Sequence, residues 1–523
     1  MRHIVRGAAS GVIAAGFGVA VAELFAAATR PGAAPLIAVG GAIIDATPTP
    51  VKEFAVRELG TNDKPALLAG IGLVLALFTA AVGIAGLRHR LAVPIGALIF
   101  GVAGTAAALS RPAATAFDAL PTVLGAVLAG TALWWLLRRG GTGVAADSAT
   151  DGAGERPTMA TAVDEAPGVP GKAFDRRVFL RAAVLVAGAG LVAEGGAEWV
   201  KSVRGGAANR TRASLVLPAA ADPATPLPAG IAPGFVTANK DFYRVDTALT
   251  VPRIDLDTWS LRIHGMVGKE LRLSFEDLLS RPLIERDITL NCVSNEVGGP
   301  YIGTARWLGV PLAPLLREIG VRPGADQLVA RSVEGMTIGT PVATVLDGRD
   351  AMLVVGMNGE PLPLTHGFPV RMLTPGLYGY AGACKWLTEL ELTTFDNFDA
   401  YWVERGWSAR GPVKTASRID RPRPLAKVPA GSTTVAGVAW AQGRGIAAVE
   451  IRIDDGPWTP AELLPVPSTD TWVQWRHTWK AAAGLHSLSV RATDRTGAVQ
   501  PERRVTPFPD GATGWHTIAV TVA

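Results

Sequence analysis

The residues with the greatest chemical capacity lie between Thr289 and Trp307, in the run TLNCVSNEVGGPYIGTARW. Cys292, one of two cysteines in 523 residues, stands there beside the polar Asn291, Ser294, Asn295 and Glu296. Ile284 to Leu290 mixes β-branched and charged residues as a half-buried strand does, and Gly298-Gly299-Pro300 then forces a turn. A cysteine at the end of such a strand can offer a thiolate, as a metal ligand or as a nucleophile. The alternative is a small buried hydrophobe, the commoner use of a free cysteine.

A second stretch, Asn358 to Leu387, reads NGEPLPLTHGFPVRMLTPGLYGYAGACKWL. Together the two stretches resemble the molybdopterin-binding domain of the sulfite oxidase family. The matching residues are Thr304 to Trp307, Asn358-Gly359, Pro361-Leu362-Pro363, His366-Gly367, Pro369-Val370-Arg371, Pro375-Gly376 and Lys385-Trp386. The resemblance implies a molybdenum–molybdopterin cofactor with Cys292 as the protein's ligand to the metal, a role suited to a soft thiolate. It implies that Arg371, a planar and permanently charged fork, and the point charge of Lys385 face the anionic pterin. His366 matches the family's pterin-contacting histidine. Backbone N–H groups of Gly379, Tyr380 and Ala381, in a glycine-rich loop, are expected to approach an anion closely. Asn239, Tyr243 and Arg244 (NKDFYR) resemble the family's N-terminal cofactor-contacting segment, and Ser332 (ARSVEG) is a further candidate. Cys384 occupies a non-ligand position and is assigned to packing.

Two departures bear on the substrate. Sulfite-oxidising members place a tyrosine just before the Met-Asn-Gly run, where Val354-Val355-Gly356 stand here. They also carry arginines soon after the metal cysteine, where this chain has Val293-Ser294-Asn295-Glu296. An anion beside Glu296 would be repelled in a low-dielectric pocket. The expected reaction is therefore oxygen-atom transfer on a small substrate of the sulfoxide or N-oxide kind, with a sulfur oxyanion less favoured. The alternative is a cell-surface binding protein that keeps the fold without redox activity.

The rest of the chain must carry and place this site. Hydrophobic residues make up 49% and charged residues 18%, with the apolar excess in the first 200 residues. The net charge of +5 is spread without a basic block, so nucleic acid is not an expected partner. No CxxCH, paired CxxC or ferredoxin spacing occurs, and neither haem nor an iron–sulfur cluster is indicated. Gly7 to Ala28, Ala66 to Leu87, Leu91 to Leu109 and Phe117 to Leu137 each suffice to cross a bilayer, which takes about 20 residues. Glu23 interrupts the first, and Pro35 to Ile44 is apolar but short.

Arg2, His3 and Arg6, then Arg88, His89 and Arg90, then Arg138 and Arg139 flank the spans. The positive-inside rule puts all three groups in the cytoplasm. Residues 140–174 read as a cytoplasmic linker. Residues 175–200 begin DRRVFLR, similar to an internal twin-arginine export signal, and continue as a fifth span leading outward. A Pro/Ala-rich tether at 201–235 precedes a mixed α+β domain at 236–411. From 412 to 523, short strands without helices predict an immunoglobulin-like β-sandwich, matching the resembled family's dimerisation domain. The tryptophans at 440, 458, 472, 475 and 479 are assigned to core and interface. The expectation is a multi-pass plasma-membrane oxidoreductase with its catalytic domain extracytoplasmic. Its electrons would pass to or from a redox partner or a quinone, and it would pair as a homodimer through the C-terminal domain.

Overall fold

A computed structural model describes residues 2–59, 62–111, 114–139 and 176–523. The expected linker, and Asp175 of the arginine segment, lie outside the described residues. The chain divides into two units, Met1–Val203 and Arg204–Ala523.

The first unit is helical: α1 (Arg2–Ala28), α2 (Pro35–Ala46), α3 (Thr49–Leu59), α4 (Asp63–Gly86), α5 (Ala92–Leu109), α6 (Leu120–Arg139) and the start of α7 (Arg176–Ser214). Among the described residues, five helices are long and apolar enough to cross a membrane, and α2 is too short. Large apolar side chains such as Leu73, Val74, Leu77 and Leu98 face outward, each more than 60% exposed. Between helices the contacts rest on small residues. A Cβ at Gly83 would sit 2.1 Å from the Gly7 carbonyl oxygen, so only glycine lets α1 and α4 approach so closely. Glu23 is buried against the other helices, with its carboxylate 3.7 Å from Lys201 Nζ.

The second unit begins with β1 (Ser260–Gly265), β2 (Leu271–Ser274), α8 (Phe275–Leu279), β3 (Ile284–Asn291), β4 (Ile302–Pro311) and α9 (Leu312–Ile319). There follow β5 (Gln327–Ser332), β6 (Thr337–Pro341), α10 (Val342–Leu346), β7 (Met352–Met357), β8 (Glu360–Pro361), β9 (Arg371–Leu373), α11 (Gly379–Gly382) and β10 (Leu387–Thr393). Two sheets form, ordered β2-β1-β10-β5-β6 and β3-β4-β7-β8 with β9 also on β7. Local sequence sets much of this. Alternation in β1 buries Leu261 and Ile263, and Ser274 caps α8 in a reciprocal capping box with Asp277. Leu353, Val355, Val370, Met372 and Cys384 join one core with α8, α9, α10 and the first sheet. Each large apolar side chain buried there contributes about 1.5–3 kcal/mol.

The expected tether is ordered differently. The helix α7 continues to Ser214, and Arg212 in its last turn bonds Glu360 and the carbonyls of Pro361 and Leu362. Leu215 and Leu217 then pack on the core, and Asp222 bridges to Ile284 at the start of β3. Scattered apolar residues suffice to pin an extended segment that lacks any period of its own.

The C-terminal body holds β11 (Ala416–Arg421), β12 (Lys427–Val428), β13 (Gly431–Trp440), β14 (Ile446–Ile453), β15 (Thr459–Pro460), β16 (Glu462–Leu463), β17 (Val473–Ala481), β18 (Gly484–Asp494) and β19 (His516–Val522). Its two sheets, β11-β13-β17-β16 and β12-β19-β18-β14-β15, enclose a shared core of Val435, Ile451, Trp475, Leu488, Val490 and Val520. Trp440, Trp472, Trp475 and Trp479 are buried. Trp458 is half-buried, between Trp515 and the guanidinium groups of Arg452 and Arg491.

Candidate cofactor and active site

An open cleft lies in the second unit, with about 870 Å³ of space between its walls and out into its solvent-filled mouth. Cys292 reaches it because β3 ends one residue earlier, where the chain leaves the sheet and returns as β4. The loop is tied internally. Cys292 N–H donates to the Tyr301 carbonyl (2.9 Å), and the Asn295 side-chain oxygen accepts Tyr301 N–H (2.8 Å). Burial raises the pKa of the Cys292 thiol, partly offset by the N–H and hydroxyl of Ser294.

Opposite elements bring the polar wall. His366 closes a short 3-10 turn ended by Gly367 at φ +113, where any Cβ would press on Lys385. Its Nε2 lies 2.9 Å from the Asn239 carbonyl. A carbonyl can only accept, so Nε2 carries the proton. Burial lowers the His366 pKa to about 4, which leaves the ring neutral. Asn239 is itself held by Asn358, a residue at φ +52 in the tight turn between β7 and β8. That linkage fixes the segment carrying Phe242 and Tyr243, and Phe242 packs against Trp307 and His366. Burial keeps the Tyr243 phenol protonated.

Arg371 is the informative group. It is 5% exposed, starts β9, lines the cavity and lies 5.1 Å over the Trp307 ring. One Nη donates to the His366 carbonyl (3.2 Å), while Nε is buried without an acceptor. No carboxylate pairs with it among the described residues, and burial pulls its pKa down to about 10. A buried cation with an orphaned donor is costly unless an anion completes it. The donor set therefore fits an anionic cofactor: a thiol, an unpaired guanidinium and a neutral imidazole share one cavity.

Of the residues expected from sequence, Tyr243, Cys292, Ser332, His366, Arg371, Gly379, Tyr380 and Lys385 line the cavity together. Asn239, Arg244 and Ala381 do not. Asn239 positions His366; Arg244 turns onto Asp246, with Nε 2.5 Å from the carboxylate. The one-turn helix α11 directs Ala381 away, its N–H donating to the Tyr378 carbonyl and its own carbonyl accepting from Thr340. Lys385 is not a free charge either, since it contacts both the carboxylate of Asp246 and the carbonyl of Val245.

Glu296 requires a correction. It was expected to repel anions inside the pocket, yet it is not among the lining residues and its carboxylate lies 3.9 Å from Arg504. In this loop the lining ends at Ser294, and Glu296 begins the next turn, its carbonyl accepting the Gly299 N–H. Sequence reading missed Asp246, Trp402 and Trp407. Asp246 follows Arg244 by two residues, but its partnership with Lys385 spans the fold. The two indoles come from residues 399–407, between the core and the C-terminal body.

The model for the oxidoreductase molybdopterin binding domain matches residues 248–402. Sulfite oxidase of Gallus gallus is 30% identical over 339 residues, covering 55% of this chain and 73% of that protein. Mitochondrial sulfite oxidase of Mus musculus is 29% identical over 354 residues, 57% of this chain. The matched region spans 64% of the mouse protein, less than two thirds of its length. Among solved structures, the sulfane dehydrogenase SoxCD of Paracoccus pantotrophus is 26% identical with a TM-score of 0.47, covering 52% of this chain and 78% of that one. From the cavity's donor set, the matched domain and the sulfite oxidase relatives, this chain belongs to the sulfite oxidase family of molybdopterin oxidoreductases.

Proposed function

We propose that this chain is a membrane-anchored molybdenum-cofactor oxidoreductase that transfers an oxygen atom to or from a small, uncharged sulfur or nitrogen oxide. The observation that carries the reading is the buried, unpaired Arg371 in the same cavity as the Cys292 thiol. Cys292 would ligate the metal. Arg371, His366 and the backbone at Gly379 and Tyr380 would hold the pterin, with Ser332 and Tyr243 along its path and the Lys385–Asp246 pair at its edge. Asn239 and Arg244 support this wall from behind. The bound group supplies two-electron redox chemistry with oxygen exchange. The chain's residues bind it, orient it and screen it from water.

Charge supports an uncharged substrate. Arg371 and Lys385 are the cations lining the cavity. With the first assigned to the cofactor and the second neutralised by Asp246, no lining cation is left for an oxyanion. Trp402, Trp407, Met336 and Ile338 offer apolar wall for a substrate body, and the carboxylate of Glu334, also on the lining, disfavours an anion.

The five apolar helices and their basic flanks support a multi-pass anchor with an inside N-terminus and the catalytic unit extracytoplasmic. The Arg176-Arg177 segment would serve folded export. By resemblance, the C-terminal two-sheet body would be the immunoglobulin-like dimerisation domain, and electrons would pass to a partner protein or a quinone.

Metal analysis of the full-length protein, from a host that makes the pterin, tests the core of this reading. Near-stoichiometric molybdenum in wild type, lost or redox-silent in Cys292→Ser, is expected. Well-folded wild-type protein without metal overturns it. Sulfite turnover as efficient as that of a sulfoxide would refute the uncharged substrate. Protease accessibility of residues 215–235 in spheroplasts checks the sidedness.

A further inference from the structure

The strand that delivers Cys292 is an edge strand: within its sheet β3 pairs with β4 alone. Its open side meets the Asp222 segment near its start and the C-terminal body toward its end. Thr289, three residues before the cysteine, donates its N–H to the Asp470 carbonyl (2.9 Å) and accepts Gln442 Nε2 on its own carbonyl (3.1 Å). Its hydroxyl accepts the N–H of Trp472 (2.8 Å). Beyond the cysteine, Arg418 Nη1 donates to the Gly299 carbonyl (2.8 Å). The His516 ring lies flush against Gly298, where a Cβ would stand 2.3 Å from Nε2. That ring is fixed in turn by Ile419 N–H on Nδ1 (3.0 Å). Val293, next to the cysteine, packs with Trp440 and Trp472 of the same body.

We propose that the C-terminal body is the positioning frame of the Cys292 thiol, with Gln442 and Arg418 as the positioning residues that grip its loop before and behind. The contacts fall on both sides of one short segment. Gln442 follows β13 by two residues, Trp472 immediately precedes β17 and Arg418 lies in β11, and none of them contributes to the cavity wall. Displacing a reacting group by about 1 Å costs on the order of 100-fold in rate, so a frame of this kind controls the site without touching it. The inference rests on the reading of Cys292 as the metal's ligand.

The test uses the full-length protein, prepared without cofactor and with it. In the cofactor-free form, the iodoacetamide alkylation rate of Cys292 is read by peptide mass spectrometry, with the buried Cys384 as internal reference. Gln442→Ala and Arg418→Gln are expected to accelerate Cys292 several-fold while Cys384 stays unchanged, with the melting temperature kept in Arg418→Gln and modestly lowered in Gln442→Ala, which loses a buried hydrogen bond. Arg418→Lys should restore part of the protection. In the loaded form, both variants should shift the Mo(V) electron paramagnetic resonance spectrum. Wild-type labelling in folded variants overturns the proposal. So does parallel acceleration of both cysteines with a lowered melting temperature, which would mark general loosening. If Gln442→Ala fails to fold, Arg418→Gln, at the rim of the contact, carries the test alone. Labelling needs no metal, so its outcome is independent of the metal analysis of Cys292→Ser.

Discussion

The two cysteines and their surroundings show how one residue type acquires two roles. Cys384 is 1% exposed and belongs to the core shared by Val370, Met372 and Leu387, its sulfur 3.7 Å from the Lys385 carbonyl. Burial drives its thiol pKa far up. Cys292 is half-buried, sits just past the end of β3, and has Ser294 to favour its thiolate. Both line the same cavity. Nearness to a cavity therefore does not distinguish them; support for the charged form and freedom from the core do.

The contrast can be broken experimentally. Cys292→Ser should abolish turnover while leaving the melting temperature near wild type, measured by substrate kinetics beside thermal denaturation. Arg371→Gln should weaken cofactor retention by roughly 10- to 100-fold, matching the approximately 1.5–3 kcal/mol of a charge-assisted hydrogen bond; released pterin, assayed by fluorescence, reads it.

His366 sharpens the comparison through pH. Its folded pKa of about 4 lies below the ordinary 6.5, so the unfolded chain binds more protons between these values. Its contribution is full above pH 6.5 and is lost as the pH falls toward 4, on the order of 2–3 kcal/mol. Urea unfolding at pH 7 and pH 4.5 should show a smaller acid loss in His366→Gln. The smallest effect is expected of Cys384→Ala, which should cost about 1 kcal/mol of stability with turnover retained.

Local patterns made much of the second unit legible. The alternation through Leu261 and Ile263, the cap at Ser274, and the strands within Thr433 to Asp494 all lie in short windows of sequence. The cavity residues were legible where a motif carried them, as with His366 and Arg371. Charge placement was not. Glu296 looked like a pocket acid because it follows Cys292 by four residues, yet the lining ends at Ser294 and Glu296 lies near Arg504. Lys385 looked free because Asp246 stands far away in sequence. Extended segments such as Leu215 to Phe235 have no period to read, and only the surface they lie on gives them order.

The indoles around the cavity have an optical consequence. Trp386, Trp402 and Trp407 border the space that a pterin would fill. A pterin absorbs near the wavelengths at which tryptophan emits, so a filled site would draw excitation from these rings by resonance transfer. Part of the intrinsic fluorescence would then report occupancy directly, and its recovery during unfolding or cofactor release would time the loss of the group from the intact protein.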